Sequence, residues 1–297
     1  FLRAARGYDC VVAVGDTYAL AMSLLPGAPV LFVGTAKSIA VAPYGPFEER
    51  VLRRARAIFV RDEPTAVRLR EHGLCVEPAA NVIVDLFATQ SDGSAAAIAQ
   101  FDPALVLLPG SRENAYDDAR FLLRIAQGVA SELPQAGAVL SVAPGLDAGR
   151  FAREASSAGW TLGAAEREEI PFVLALGGRV CVRAWRGSLG GALAGAGLAL
   201  GQAGTANEAA AAAGVPVVAF ELGKDRKTAW YRKRQQGLLG EALAILPGDE
   251  RALAGVLALL RDPQRRAAMG ATGRARMGER GAARRIARRL LALGSAA

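Results

Sequence analysis

Short apolar runs alternate along this chain with longer segments in which apolar and polar residues mix. Residues 8–15 and 30–33 form apolar runs, and the segment at 19–25 between them ends at the turn-forming pair Pro26-Gly27. Runs of this length are typical of strands that are buried on both faces of a parallel sheet. The alternation therefore predicts β-α-β units, an α/β fold in which helices cover both faces of parallel sheets.

The pattern continues through the chain and divides it in two. A chain of 297 residues is long enough for two domains. The polar, small-residue stretch at 91–97 predicts a linker, which gives domains at 1–98 and 99–297. Further predicted helices lie at 47–57, 63–72, 119–132 and 149–159, and further predicted strands lie at 57–60, 104–108, 138–143 and 179–182.

One stretch, residues 197–220, combines a strand, a glycine turn, a helix and a second strand. Its first apolar run ends at Gly201 and Gly204, Thr205 is a good N-cap for the alanine-rich segment that follows, and Gly214 suits the end of the helix. A helix N-terminus carries unpaired N–H groups and partial positive charge, and preceding glycines let an anion approach the backbone. The turn is therefore a candidate anion site.

Glu208 stands about one helical turn after this start. Its carboxylate has two open roles. It can complete a capping box with Thr205, or it can accept a hydrogen bond from a ligand hydroxyl.

Polar residues follow the two apolar runs near the start of the chain, where open α/β sheets bind ligands. Asp16 follows the first run, as a candidate acid or base or as a helix N-cap. Lys37 and Ser38 follow the second, where Lys37 can meet a phosphate or a sugar and Ser38 can cap a helix.

Two later strand ends carry further candidates for anion binding. After the strand at 104–108, Gly110 and Ser111 place N–H groups beside Arg112, whose guanidinium fork suits a diphosphate. After 220, a basic cluster that includes Lys224 can reach the same phosphates or an anionic acceptor, or it can form a solvated helix face.

The net charge of +8 is concentrated at the C-terminal end. Residues 261–297 contain ten Arg and two acidic residues, whereas the rest of the chain has 26 basic and 26 acidic residues. The last helix places a basic face opposite an apolar one, so it can attract an anionic membrane surface, or it can be a solvated face. The residues of the basic face are Arg284, Arg285, Arg288 and Arg289.

The small numbers of histidines and cysteines limit the kinds of catalytic and metal site that the chain can form. With His72 as the one histidine and three widely spaced cysteines, the chain predicts neither a histidine-based triad nor a metal site. The cysteines are interpreted as buried free thiols in a reducing compartment. Acid and base chemistry is therefore expected from carboxylates.

The spacing at 204–216 resembles the donor-nucleotide motif of GT-B glycosyltransferases. The resemblance implies that the helix start holds the diphosphate of a nucleotide sugar, with Glu208 on the ribose. The implied donor residues in this stretch are Gly204, Thr205, Ala206, Asn207 and Glu208.

The order of several segments resembles lipid-A-disaccharide synthases, and more closely the lipid-A-disaccharide synthase-related proteins. The segments are VGDTYALAMSLLPGAPVLFVGTAKS, RARAIFVRDEPTAVRLREHG, NVIVDLF, LVLLPGSRENA and GTANEAAAAAGVPVVAF. This resemblance implies a GT-B fold with two Rossmann-like domains whose sheets face each other across a cleft. Residues 1–98 are then an acceptor domain, expected to be incomplete at its N-terminus, and residues 99–297 bind the nucleotide sugar.

The resemblance also implies an activity: metal-independent, inverting transfer of a hexosyl group from a UDP-sugar to an acceptor hydroxyl, on a lipid or a cell-envelope glycan. Asp16 is the implied general base. No cofactor is expected beyond the UDP-sugar substrate, and no nucleic-acid partner is expected. The implied location is cytoplasmic, peripheral on the inner face of the cytoplasmic membrane.

Other functions suit the same architecture. Nucleotide-sugar epimerases share it, as do polysaccharide pyruvyl transferases, one of whose patterns is similar to RDEPTAVRLREHG. A non-catalytic protein that binds a sugar nucleotide is the alternative from a different class.

Overall fold

A computed structural model of the chain describes residues 5, 7–87, 100–223 and 226–294. The predicted linker at 91–97 and the candidate Lys224 lie outside these residues. The chain forms two compact units, one from Phe1–Leu86 with Met277–Ala297 and the other from Phe87–Arg276.

The helices and strands follow one another in the alternating order that the apolar pattern predicts. The first elements are β1 (Val11–Gly15), α1 (Thr17–Leu24), β2 (Val30–Gly34), α2 (Pro46–Leu52), β3 (Ala57–Val60), α3 (Glu63–Glu71) and α4 (Val82–Leu86). Next come β4 (Ala104–Leu108), α5 (Ala115–Glu132), β5 (Gly137–Ser141), α6 (Ala148–Ser157), β6 (Thr161–Gly163), β7 (Val173–Leu176), β8 (Arg179–Trp185) and α7 (Leu189–Ala194). The chain continues with β9 (Leu198–Gly201), α8 (Thr205–Ala212), β10 (Val217–Glu221), α9 (Arg226–Leu239), β11 (Leu243–Pro247), α10 (Arg251–Leu260), α11 (Pro263–Met277) and α12 (Ala282–Gly294).

The first unit is built on a parallel sheet of three strands in the order β1-β2-β3. Every residue of β2 is buried, because both faces of the sheet are covered. Val30 and Phe32 face a cluster that includes residues of α1 and α3, and Leu31 and Val33 face a second cluster to which α12 contributes. A continuous apolar run is what such a doubly covered strand requires.

The second unit contains a sheet of eight strands in the order β11-β10-β9-β4-β5-β8-β7-β6. The strands from β11 to β8 pair in parallel, and the β8-β7-β6 edge is antiparallel. After β4 the chain builds the sheet outward through β5 and β8, and it then returns to place β9 on the other side of β4. The β4/β9 pair is therefore the topological switch point, where open α/β sheets bind ligands beyond the carboxyl ends of the strands.

Three local predictions are wrong. The helix predicted at 47–57 ends at Leu52, because the following turn leads into β3, which begins at Ala57 and pairs with β2. The β6-β7 edge is antiparallel, whereas the alternation predicts a parallel sheet. Cys75 is exposed, whereas Cys181 is buried and Cys10 partly so.

The structure also groups the last helix differently from the division at residues 98 and 99. α12 belongs to the first unit, because its apolar side covers a face of the β1-β2-β3 sheet. The carboxylate of Asp85 accepts hydrogen bonds from the N–H groups of Gly281 and Ala283, each at 2.6 Å, so α4 caps the start of α12.

Candidate functional site

The two glycine turns singled out from the sequence lie side by side at the switch point. Leu108, the last residue of β4, is paired in register with Gly201, the last residue of β9. The carbonyl oxygen of Leu108 accepts hydrogen bonds from the N–H groups of Gln202 at 2.9 Å and Ala203 at 3.2 Å. The sheet therefore brings together two turns that are about ninety residues apart in the sequence.

The second turn ends at the start of α8, where Gly204 and not Thr205 is the N-cap. Thr205 is the first helical residue, so the prediction that its hydroxyl caps the helix is wrong. The carbonyl oxygen of Gly204 accepts from the N–H groups of Asn207 at 3.1 Å and Glu208 at 3.3 Å. Within the part of the chain that the structure describes, the N–H groups of Gly204, Thr205 and Ala206 have no acceptor. Such groups are the donors with which a helix start binds an anion.

Gly204 lies against the hydroxyl group of Tyr231, on α9. A Cβ atom built at position 204 would stand 2.1 Å from the Tyr231 hydroxyl oxygen, closer than any real contact. The ring of Tyr231 is partly exposed. A Cβ atom at position 204 would therefore displace the tip of the Tyr231 side chain, and a phenolic hydroxyl stands beside the unpaired N–H groups.

A set of buried polar side chains holds the loop between β9 and α8. Gln235 of α9 donates from Nε2 to the carbonyl oxygens of Ala203 at 3.1 Å and Gly204 at 3.2 Å. The side-chain amide of Asn207 donates to the carbonyl oxygen of Gly201 at 3.2 Å and to Oε1 of Gln235 at 3.1 Å. Asn207 is completely buried. Its side chain therefore holds the loop in position, and its role in donor binding stays a prediction.

Arg232 and Gln202 extend this buried set to the neighbouring strand. Arg232 donates to the carbonyl oxygen of Gln202 at 3.3 Å and to its side-chain oxygen. The amide group of Gln202 forms a pair of hydrogen bonds with the backbone of Phe220 on β10, at 3.1 and 3.3 Å. Burial lowers the pKa of Arg232, and the carboxylate of Asp118 opposes that effect.

Sequence reasoning missed Gln202, Arg232 and Gln235. The segment 226–239 is rich in Lys, Arg and Gln and has no strong apolar stripe, so it resembles a solvated helix. One signal was present: Arg232 and Gln235 are three residues apart, which puts them on the same side of a helix.

The first turn, after β4, carries the predicted diphosphate ligands. Gly110 adopts a positive φ of 118°, which favours glycine, and Ser111 and Arg112 are exposed beside it. Among the described residues the Arg112 side chain has no hydrogen-bond partner. The neighbouring Glu113 forms an ion pair with Arg150. Arg112 is therefore available to a ligand at this turn.

Asp118, in the first turns of α5, is a half-buried carboxyl group whose charge interacts with Arg232. Burial raises the pKa of Asp118 to about 6, although Arg232 and a 2.9 Å hydrogen bond from Asn114 act in the opposite direction. Glu208, the implied ribose ligand, is partly buried near the start of α8.

The candidates in the first unit lie at the carboxyl ends of β1 and β2. Asp16 is exposed and is the N-cap of α1, with its Oδ1 accepting from the N–H of Ala19 at 3.0 Å. Its capping role is thus present, and its second carboxylate oxygen has no partner among the described residues. Asp16 therefore keeps one oxygen that can accept a proton.

The ammonium group of Lys37 forms an ion pair with Glu48, with 2.5 Å between Nζ and Oε2. Glu48 also accepts from the hydroxyl of Thr17 at 2.6 Å and from the N–H of Gly45 at 2.9 Å. Burial raises the pKa of Glu48, but the hydrogen bonds from Lys37, Thr17 and Gly45 outweigh it, so the pKa lies below its usual value. Ser38 is buried, and its Oγ accepts from the N–H of Ala40 at 3.1 Å, so Ser38 shapes a turn instead of capping a helix.

Of the four arginines predicted to form the basic face of α12, two bind neighbouring residues and two are exposed. Arg285 donates to the carbonyl oxygen of Ala79 at 2.9 Å, and Arg289 pairs with Glu77 at 2.7 Å. Arg284 and Arg288 are exposed. The side of the helix that packs against the sheet consists of Ala282, Ile286, Leu290 and Leu293, whereas Ala283 and Ala287 are exposed.

Two features are absent from the residues that the structure describes. No group of three or more His, Cys, Asp or Glu side chains is arranged to hold a metal ion there. In the same residues, no helix is both long enough and apolar enough to cross a membrane.

No protein-family model matches the chain, and no curated protein matches it. Solved structures do. UDP-GlcNAc 2-epimerase from Neisseria meningitidis, bound to UDP-GlcNAc, matches with a TM-score of 0.60 and 13% identity, over 98% of this chain and 80% of that one. MurG from Acinetobacter baumannii matches with a TM-score of 0.56 and 14% identity, over 96% and 76%. The glycosyltransferase SnogD from Streptomyces nogalater matches with a TM-score of 0.51 and 19% identity, over 99% and 75%.

At these identities the likeness shows the fold, and the closer resemblance to lipid-A-disaccharide synthases stays a prediction. The predicted fold class is confirmed: the chain has the GT-B fold, with two Rossmann-like domains.

Proposed function

We propose that this protein is a glycosyltransferase that binds the diphosphate of a UDP-sugar at the β4/β9 switch point. The observation that carries the proposal is the meeting of two glycine turns there, one with Arg112 and the other with the unpaired N–H groups of Gly204, Thr205 and Ala206. Solved structures of the same fold include one with UDP-GlcNAc bound and the glycosyltransferase SnogD, which supports a nucleotide-sugar substrate.

The proposed reaction is an inverting displacement at the anomeric carbon. The acceptor oxygen forms a bond to C1 of the sugar while the bond from C1 to the phosphate oxygen breaks, and UDP leaves with the electron pair. A carboxylate, for which Asp16 is the candidate, takes the proton of the acceptor hydroxyl. Arg112 and the N–H groups of the α8 start stabilise the charge that develops on UDP. Glu208 is the proposed ribose ligand.

The first test is UDP binding, measured by calorimetry and by thermal shift. UDP at about a hundred times its dissociation constant should add roughly 2.7 kcal/mol to the free energy of unfolding. Arg112→Ala should weaken UDP binding by about tenfold, because a charge-assisted hydrogen bond is lost. Arg124→Ala removes another exposed arginine, on α5, and should leave the affinity unchanged. No response of the wild-type protein to UDP would refute the proposal.

A 2-epimerase is the second candidate, and the bound UDP-GlcNAc in a protein of the same fold favours it. Epimerisation at C2 breaks a C–H bond, so incubation with UDP-GlcNAc in D₂O and no acceptor would place deuterium at C2. The proposed transferase leaves C2 unlabelled and releases UDP when an acceptor is present. UDP binding with neither outcome would indicate a non-catalytic binder, and pyruvyl transfer from phosphoenolpyruvate would indicate a pyruvyl transferase-like enzyme.

We also propose that α12 meets an anionic membrane surface through Arg284 and Arg288. Both side chains are exposed, and Leu291 on the same helix is 74% exposed. Exposed cations beside an apolar side chain suit a surface of anionic lipid headgroups. With it we propose a peripheral location on the inner face of the cytoplasmic membrane.

A further inference from the structure

The backbone of the loop from Gly201 to Gly204 is held in place by hydrogen bonds to its carbonyl oxygens. All four of its carbonyl oxygens accept from side chains: Gly201 from Asn207, Gln202 from Arg232, and the last two from Gln235. The donors are nine-tenths or more buried. The orientation of the loop backbone is therefore set from one side, by the first turn of α8 and by α9.

The N–H groups of the same peptides divide into two pairs. In a planar trans peptide the carbonyl and the following N–H point in opposite directions. The N–H groups of Gln202 and Ala203, opposite the first two carbonyls, donate to Leu108 of β4. Those of Gly204 and Thr205, opposite the two carbonyls held by Gln235, have no acceptor among the described residues. Gln235 therefore holds the carbonyl opposite each unpaired group, and the carbonyl of Gly204 is held by the N–H groups of Asn207 and Glu208 as well.

We propose that Gln235 is a positioning residue that turns the N–H groups of Gly204 and Thr205 outward to receive the diphosphate of the nucleotide. This inference rests on the proposed function. It adds a role for a residue that need not touch the ligand, and it predicts that the anion site is already formed in the free protein. A preformed site costs less conformational entropy on binding.

Gln235→Glu tests the inference with the smallest change. The substitution keeps the size of the side chain and the oxygen that accepts from Asn207 and Arg232, but it removes the donor to the carbonyls of Ala203 and Gly204. The UDP dissociation constant should rise roughly tenfold, as for one lost hydrogen bond. Uridine, which lacks the diphosphate, should bind the variant as it binds the wild type. A general loosening of the domain would weaken uridine and UDP alike.

The neighbouring residue gives a matched control. Gln236 is exposed, so Gln236→Glu makes the same chemical change without touching the loop and should keep the UDP affinity within about twofold. Gln235→Met removes the donor without adding charge, and it should weaken UDP binding as Gln235→Glu does. Normal UDP binding by Gln235→Met would show that added charge, not loop position, causes any loss in Gln235→Glu.

A measurement on the wild-type protein does not depend on whether the variants fold. In amide NMR spectra, pyrophosphate should shift the Gly204 and Thr205 signals most, and the Gln235 side-chain amide should exchange slowly before ligand is added. If the wild type binds UDP and both Gln235 variants bind it equally well, the inference is overturned and the proposed function stands. If the wild type does not bind UDP, both are overturned.

Discussion

At the scale of single residues, the candidate site depends on the small size of Gly204. Gly204 has no Cβ, and the space is taken by the hydroxyl of Tyr231. The next nearest atom of that ring would be 3.5 Å from an added Cβ, an ordinary contact. The conflict at position 204 is therefore with one oxygen atom, and it can be removed by a second substitution.

Gly204→Ala should destabilise the wild-type protein by about 1 kcal/mol and should cost much less in a Tyr231→Phe background, because phenylalanine lacks the clashing oxygen. Urea unfolding of the four proteins in this cycle measures the coupling. Gly145→Ala, at a glycine with no atom within 4 Å of an added Cβ, serves as the control. An equal cost of Gly204→Ala in both backgrounds would contradict the contact.

At the scale of elements, α9 and α12 each bury one side against the rest of their unit and expose another side to solvent. α9 places Arg232 and Gln235 in the buried polar set and leaves Lys233 and Gln236 exposed. α12 buries one side against the β1-β2-β3 sheet and exposes another. In both helices the residue types alone do not separate the two sides. In α9 the buried Arg232 is followed directly by the exposed Lys233, and in α12 partly buried arginines stand next to exposed ones.

Reversing the charge of Arg284 and Arg288 should weaken binding of the protein to anionic vesicles. Each arginine near such a surface contributes about 1 kcal/mol, so the double variant Arg284→Glu/Arg288→Glu should lower the partition on the order of tenfold or more. Co-sedimentation with phosphatidylglycerol vesicles measures this. Arg54→Glu/Arg265→Glu makes the same charge change at exposed positions elsewhere. Equal loss of binding in the two double variants would mean that only net charge matters.

At the scale of the whole molecule, the chain returns to its first unit after completing its second. Residues 277–297 belong with residues 1–86, and α12 covers a face of the first sheet that Leu31 and Val33 expose to it. The tryptophans of the chain, at positions 160, 185 and 230, all belong to the second unit. The two units can therefore be followed separately in solution.

Deletion of residues 278–297 should destabilise the first unit and not the second. Without α12 the apolar face of the β1-β2-β3 sheet meets water, which removes the stabilisation that burial gives. Circular dichroism should show a transition at lower urea that precedes an unchanged tryptophan fluorescence transition. Arg284→Ala/Arg288→Ala keeps the apolar side of α12 and should leave both transitions in place. A single coincident transition for the deletion would contradict the division into units.

The sequence by itself was enough to predict the α/β class, most of the strands and both glycine turns. These features depend on local causes: continuous apolar runs in β2 and β4, and glycines beside a helix start, carry their meaning within a few residues. The length of α2 and the antiparallel β6-β7 edge could not be predicted this way, because strand pairing decides them.

The tertiary structure alone decided how the site is assembled. Gln202, Asn207, Arg232 and Gln235 belong to one buried set because β9, α8 and α9 fold together, and the same residue types in a solvated helix would look no different in the sequence. The placement of α12 in the first unit has the same origin. Local periodicity indicates that a helix has an apolar side, but only the three-dimensional packing determines which surface that side covers.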